Sequence, residues 1–219
     1  MTGLSALIQI AGERGSAGPS DELERFLADH FPSLALAPPL FYSWPIGLRF
    51  DLGGNLEGEA RIEQAVSRAF TLYDYFFATS DEAMIVGWLG PPFPIEAIHL
   101  FELIPGDAAV SFEPGGLDSS FEGDSELPLV QVNARVLAHD VDYQRILRSV
   151  VNRELGVEPQ LPWDLFLLNL SRRFVYYPYD DRGLDVIAAS REDLRDAYAR
   201  FHERLLDHES AAMDRAFAS

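Results

Sequence analysis

The sequence contains no cysteine and no lysine, so all seventeen of its basic residues are arginines. Without cysteine there are no thiol nucleophiles, zinc–thiolate sites or disulfides. Without lysine there is no Schiff-base chemistry, and there is no P-loop, whose lysine contacts the bound phosphates. These absences remove covalent catalysis through sulfur or an amine, and phosphate binding through a P-loop.

Positive charge is scarce, since 35 acidic residues face 17 basic ones, giving a net charge of −18. Residues 69–134 contain no arginine and only one histidine, His99, while acids recur throughout. Nucleic acids and anionic lipids bind to basic surfaces, so we expect neither to be held by charge. A basic protein partner would be attracted and steered over a long range. The alternative interpretation is that the acidity serves solubility alone.

Long apolar segments are missing as well. Residues 31–48 are uncharged, but four prolines exclude a continuous membrane-spanning helix there. The apolar run at residues 4–10 is short, and no positive charge precedes it as in a secretory signal. We therefore expect a cytoplasmic protein that does not contact a membrane.

The pattern of apolar residues predicts an α+β fold, with a mixed or mainly antiparallel sheet and about four helices packed against it. The predicted helices cover residues 21–31, 58–78, 140–155 and 190–207. The predicted strands cover residues 46–52, 84–89, 95–104, 110–112, 129–138, 165–170, 174–177 and 184–188. Residues 95–104 are also compatible with a helix.

The domain organisation follows from length and local composition. A chain of 219 residues fits one large domain or two small ones. Residues 1–19 are predicted to be a flexible N-terminal segment, because they end in a Gly/Ser-rich stretch. Residues 20–219 are predicted to form a single α+β domain, with an acidic, Pro/Gly-rich insertion near residues 105–128.

The most strongly patterned stretch is residues 174–188, which predicts a β-hairpin. An aromatic strand precedes the turn Asp180-Asp181-Arg182-Gly183, and an apolar strand follows it. An aspartate can bind the backbone two residues on, and a glycine supplies the positive φ that closes a short loop. The charges of Asp181, Arg182 and Asp185 exceed what closing the turn requires.

Three interpretations of this charged cluster remain open. An Asp–Arg pair can lock the turn, the cluster can form a binding surface, or its carboxylates can hold Mg²⁺ or Ca²⁺. The neighbouring aromatic residues suit either an interface or the core of the sheet. The candidate binding residues are Asp181, Arg182, Asp185, Tyr177, Tyr179 and Trp44.

No other motif assigns chemistry to the chain. The five histidines are scattered, and His202 and His208 fall on different faces of one predicted helix. Neither His-Glu-x-x-His nor Gly-x-Ser-x-Gly occurs. A pair of catalytic carboxylates is formed in space and leaves no sequence signature. We therefore assign no catalytic residue, metal ligand or cofactor.

Three stretches resemble the bacterial family known as domain of unknown function 3885. They are Leu-Phe-Tyr-Ser-Trp-Pro-Ile-Gly-Leu-Arg-Phe from Leu40, Phe-Leu-Leu-Asn-Leu from Phe166, and Tyr-Asp-Asp-Arg-Gly-Leu-Asp-Val-Ile from Tyr179. The likeness extends over residues 35–217. It implies a domain that fills most of the chain, and it implies no activity.

Two functional hypotheses result. The preferred one is an acidic protein-binding module, in its concrete form an immunity-type protein that neutralises a basic partner. The alternative is a metal-dependent, hydrolase-like enzyme built on Asp181, Arg182 and Asp185, which requires these side chains to converge in a concave pocket. A bare scaffold that associates through the aromatic strand is a third possibility, and the sequence leaves the oligomeric state open.

Overall fold

The computed structural model describes residues 18–89, 104–105, 108–115, 129–153, 156–161 and 164–217. Almost all of the predicted N-terminal segment, most of the strand predicted at 95–104 and most of the insertion at 105–128 therefore lie outside the described residues. The helices are α1 (Pro19–His30), α2 (Leu40–Ser43), α3 (Gly58–Phe76), α4 (Tyr143–Arg153), α5 (Arg191–Arg200) and α6 (Ser210–Phe217). The strands are β1 (Gly47–Asp51), β2 (Glu82–Leu89), β3 (Ala109–Gly115), β4 (Leu129–Leu137), β5 (Leu165–Asn169), β6 (Phe174–Pro178) and β7 (Gly183–Ala188).

The seven strands form one sheet in the order β1-β7-β6-β5-β2-β4-β3, and every pairing is antiparallel. The predicted α+β class with an antiparallel sheet is therefore confirmed. β5, β6 and β7 form a meander, because short turns join consecutive antiparallel strands. β1 lies at one end of the sheet, and its sheet partner is the last strand of that meander.

Each face of the sheet has its own core. On one face, α3 to α6 pack over buried aromatic side chains that include Phe50, Phe76 and Tyr176. On the other face, α1, α2 and the segment between them cover Phe166 and Tyr177. Tyr176 and Tyr177 belong to different cores because successive side chains of a strand point to opposite faces. Burying each such side chain contributes about 1.5–3 kcal/mol.

Two helix starts differ from the prediction. α1 begins at Pro19 with Gly18 as its N-cap, two residues before the predicted start at residue 21. Proline suits the first helical position because its missing N–H needs no partner there. α4 begins at Tyr143, three residues after the predicted start at residue 140, and Asp142 caps it by accepting the backbone N–H of Arg145 at 3.1 Å.

The long C-terminal helix predicted for residues 190–207 is wrong in its second half. α5 ends at Arg200, short 3₁₀ turns follow, and α6 starts at Ser210. The chain leaves the helix because the backbone N–H of Leu206 donates to the carbonyl of Arg49 in β1 at 2.9 Å. Pairing with the outer side of β1 thus overrides a helical sequence pattern.

Gly183 is the first residue of β7 and lies opposite Asp51 of β1. Gly183 does not have the positive φ that was expected from the turn sequence. An added Cβ would lie 2.5 Å from the carbonyl oxygen of Phe50 and would also collide with the Tyr179 hydroxyl. Glycine is therefore required here for space between the two strands.

Replacing Gly183 with alanine is expected to lower the free energy of unfolding by about 1–3 kcal/mol, because the added methyl group overpacks the β1–β7 contact. Urea unfolding followed by circular dichroism measures this loss. The comparison is with the unchanged protein under the same conditions. Equal stability of Gly183→Ala and the unchanged protein would contradict the proposed steric role.

Candidate functional site

A row of polar and aromatic side chains crosses three strands at the end of the sheet. Arg49 of β1 lies directly opposite Asp185 of β7, which in turn lies opposite Tyr177 of β6. The guanidinium Nε and Nη2 of Arg49 donate to the two carboxylate oxygens of Asp185 at 2.7 and 2.9 Å. Asp185 is fully buried and the Arg49 side chain is 12% exposed. This pair is therefore a bidentate ion pair largely removed from water.

Burial raises the pKa of Asp185, while the hydrogen bonds and charge of Arg49 oppose that rise. The backbone N–H of Phe41, in α2, donates to Asp185 Oδ2 at 2.9 Å and also favours the charged form. The carboxylate thus joins three separated segments of the chain: β1, α2 and β7.

Aromatic rings surround the guanidinium of Arg49. Its central carbon lies 5.1 Å from the ring centre of Phe41, 4.8 Å from that of Tyr42 and 5.6 Å from that of Tyr179. Such cation–π contacts add to the attraction by Asp185, more strongly where water is excluded. The Tyr42 hydroxyl donates to Glu209, so the segment before α6 also reaches this cluster.

The hairpin turn is closed by Asp180. Its Oδ1 accepts the backbone N–H of Arg182 at 2.7 Å, and its Oδ2 accepts the guanidinium of the same residue. Asp180 is buried, whereas the side chain of Arg182 is 70% exposed. The aspartate therefore binds the backbone two residues on, as the turn sequence predicted, and also holds the arginine that follows.

Asp181 points away from its two neighbours in the turn and forms an ion pair with Arg61 of α3. Arg61 also donates to the carbonyl oxygen of Gly54 at 2.9 Å, in the loop that joins β1 to α3. Asp181 thus fastens the hairpin turn to the loop that precedes the longest helix.

The three predicted aromatic residues also make internal contacts. The Tyr177 hydroxyl donates to Asp164 at 2.9 Å, and burial raises its pKa. Arg153 donates to the backbone carbonyl of Tyr179 at 2.7 Å. The Trp44 indole N–H donates to the carbonyl of Ala188 at 2.8 Å, which secures α2 to β7.

The chemical capacity of the hairpin follows from these pairings. Asp180, Asp181 and Asp185 each form an ion pair with a different arginine, so each carboxylate is already occupied by a cation. Within the described ranges, no group of three His, Cys, Asp or Glu side chains is placed to hold a metal ion. The geometry favours the structural interpretation of the charged turn. The binding role of the six candidate residues stays a prediction.

The arginines that complete the cluster were missed from the sequence. Arg61 lies on the helix predicted for residues 58–78 and belongs to no motif. Arg49 alternates with the apolar residues Leu48 and Phe50, whose side chains point to the opposite face of the strand. A strand with one exposed face has the same alternation, so the sequence does not indicate that Arg49 is buried or which carboxylate it contacts.

A family model described as Domain of unknown function (DUF3885) matches residues 23–209. The chain belongs to this family. The chain is also similar to "Uncharacterized protein YnaE" of Bacillus subtilis (strain 168), with 20% identity over 207 residues, which cover 81% of this chain and 94% of YnaE. No solved structure matches the chain significantly. The part matched by DUF3885 contains α2, all seven strands and the complete Arg49–Asp185 cluster.

No described helix has the length and apolar character needed to cross a membrane.

Arg49→Met is expected to lower the free energy of unfolding at neutral pH by about 3–5 kcal/mol, because it leaves the Asp185 charge buried without a partner. Protonation removes that charge, so the difference from the unchanged protein should shrink as the pH falls through the raised pKa of Asp185. Urea unfolding at a series of pH values measures both effects.

The matched control is Arg148→Met, since Arg148 forms a bidentate pair of 2.7 and 3.1 Å with Glu63 on the surface. Exposed pairs contribute little, so this variant should remain close to the unchanged protein. A loss for Arg49→Met that does not depend on pH would contradict the role of Asp185.

Asp180→Ala is expected to lower the free energy of unfolding by about 1–3 kcal/mol, because the backbone N–H of Arg182 loses its acceptor. Asp180→Asn keeps an oxygen for that N–H and should cost clearly less. Thermal and urea unfolding compare the two variants. If both lose the same stability, the ion pair with Arg182 matters and the backbone contact does not.

Proposed function

We propose that this protein is an acidic protein-binding module whose partner is a basic protein, with an immunity-type inhibitor as the concrete form. The observation that carries this proposal is the distribution of charge. The chain has a net charge of −18, and residues 69–134 contain acids throughout but no arginine or lysine. A chain with this excess of negative charge attracts a cationic protein and accelerates its association.

Ion pairs with aspartates and glutamates occupy several of the arginines. Arg49, Arg61 and Arg153 each meet an aspartate that is buried or largely buried. Arg135, which follows the arginine-free stretch, meets both Glu22 at 3.5 Å and Glu82 at 2.8 Å. Acids remain exposed on several helices and turns, including Glu24, Asp29, Asp74, Asp196 and Glu203. These exposed carboxylates are in contact with solvent, where they can attract a cationic partner.

The hydrolase-like alternative has no comparable support. It requires Asp181, Arg182 and Asp185 to converge, but Asp181 pairs with Arg61 and Asp185 pairs with Arg49. The charge distribution therefore favours the binding module.

The test is recovery of partners on immobilised protein from a lysate of the source organism, at about 0.05 M and about 0.5 M salt. We expect a basic protein that is retained at the lower concentration and released at the higher one, because salt screens the attraction. The immunity form further predicts a gene for a basic toxin beside the gene for this chain. The proposal would be contradicted if no basic partner were found, or if the partner were retained equally at both salt concentrations.

Two variants that each remove four negative charges show which acids contribute to binding of the partner. One changes Glu96→Gln, Asp118→Asn, Glu122→Gln and Asp124→Asn within residues 69–134. The other changes Glu24→Gln, Asp29→Asn, Asp196→Asn and Glu203→Gln outside that stretch. The first should weaken binding of the recovered partner by about tenfold and the second by about twofold, since charges near the contact act more strongly than distant ones. Equal weakening would show that only net charge matters.

A further inference from the structure

β1 lies at one end of the sheet and pairs with β7 along one of its two sides. The backbone N–H of Leu52 donates to the carbonyl oxygen of Arg182 at 3.0 Å, and that of Ala188 donates to the carbonyl oxygen of Ile46 at 3.1 Å. These bonds fix which residues of β1 bond to β7, because bonded residues alternate along an antiparallel strand. The even-numbered residues bond to β7, so the N–H and C=O groups of Arg49 point away from the sheet.

Residues 205–217 of the same chain cover this outer side of β1, and we call them the C-terminal strap. Leu205 and Leu206 have extended backbone angles, and Leu205 pairs antiparallel with Phe50. The N–H of Leu206 donates to the carbonyl oxygen of Arg49 at 2.9 Å. The strap therefore begins as a very short strand added to the edge of the sheet.

The second outward group of Arg49 is bonded more weakly. In a regular antiparallel pair its N–H would donate back to Leu206, which lies opposite. It donates instead to the thioether sulfur of Met213 in α6, at 3.3 Å. Such a sulfur is a weak acceptor. The strap therefore satisfies this edge less well than a continuous strand does.

The remainder of the strap is attached through buried side chains and through contacts at the surface. Met213 and Phe217 are 1% and 6% exposed and belong to the core. Asp214, which is half exposed, accepts the Tyr198 hydroxyl at 2.6 Å, and such a bond contributes only modestly. A helix as short as the eight residues Ser210–Phe217 is not stable alone. Attachment of the strap therefore depends mainly on buried side chains.

We propose that the strap is an autoinhibitory cover over a strand-binding edge. It opens from β1 while the sheet stays folded, and an extended segment of a partner protein then pairs with β1 in its place. The strap itself shows what this segment must offer, namely an antiparallel extended backbone opposite Arg49 and an apolar side chain in the place of Leu205. Main-chain hydrogen bonds hold this segment, so the site is distinct from the electrostatic attraction of a basic partner.

Native-state hydrogen exchange of the ¹⁵N-labelled full chain tests the opening. We expect the amides of Arg49, Leu206 and α6 to share one protection factor. It should lie at least about a hundredfold below that of Leu48 and Phe50, whose N–H groups bond to β7. Exchange of the first set should also depend less on added urea, because opening the strap exposes little surface. Equal protection or an equal urea dependence of the two sets would show that the strap leaves only on global unfolding, and would overturn the proposal.

A synthetic peptide of residues 202–217 probes the uncovered edge. Met213→Ala weakens the attached strap because it removes a buried side chain, so this full-length variant should bind the peptide at least about tenfold more tightly than the unchanged protein. Amide chemical shifts should change at residues 47–51, and about 0.5 M salt should not release the peptide. The matched control is Met213→Leu, which keeps the buried volume and should bind like the unchanged protein.

The same peptide with an N-methyl group on Leu206 separates strand pairing from the filling of an apolar hollow. It retains every side chain but cannot donate to the carbonyl oxygen of Arg49, so its affinity for the Met213→Ala variant should fall at least about tenfold. Equal binding of the two peptides, or binding of neither, would overturn the strand-binding edge. These outcomes do not involve a basic partner, so they leave the proposed function unaffected.

Discussion

The buried ion pair between Arg49 and Asp185 is the constraint on which the end of the sheet depends. A carboxylate removed from water is costly unless its lone pairs and its charge are both compensated. Here two guanidinium hydrogen bonds and one backbone N–H provide that compensation. A shift of β1 by one residue would place an apolar residue opposite Asp185 and leave its charge unpaired. The pair therefore specifies the register between β1 and β7.

Arginines also connect the β6–β7 turn to other parts of the chain. Asp181 binds Arg61 at the start of α3, and Arg153 at the end of α4 binds the backbone of Tyr179. Each contact joins the β6–β7 turn to a segment that is distant in sequence. Since lysine is absent, each of these connections uses a guanidinium, whose fixed array of donors can bind a carboxylate and a carbonyl oxygen together.

Local patterns allowed most of the fold to be predicted. The alternation in residues 174–188 predicted β6 and β7, and the apolar spacing in residues 58–78 predicted α3. The end of α5 could not be predicted, because Leu206 leaves the helical path only when Arg49 of β1 is beside it. The candidate cluster was predicted in part. Asp180 acts within four residues, so its role follows from the turn sequence, whereas Arg49 and Arg61 meet their aspartates only through the tertiary fold.

The position of β1 has a consequence for the order in which the chain can fold. Arg49 and Asp185 are separated by 136 residues, and β1 has no other strand partner in the described sheet. During synthesis the ribosome releases β1 long before β7. β1 therefore cannot pair until most of the chain has been synthesised. Closing such a large loop makes this step slow. A nascent chain that stalls before residue 183 therefore exposes the edge of β1. Arg49 then lacks its ion pair, because Asp185 has not been synthesised.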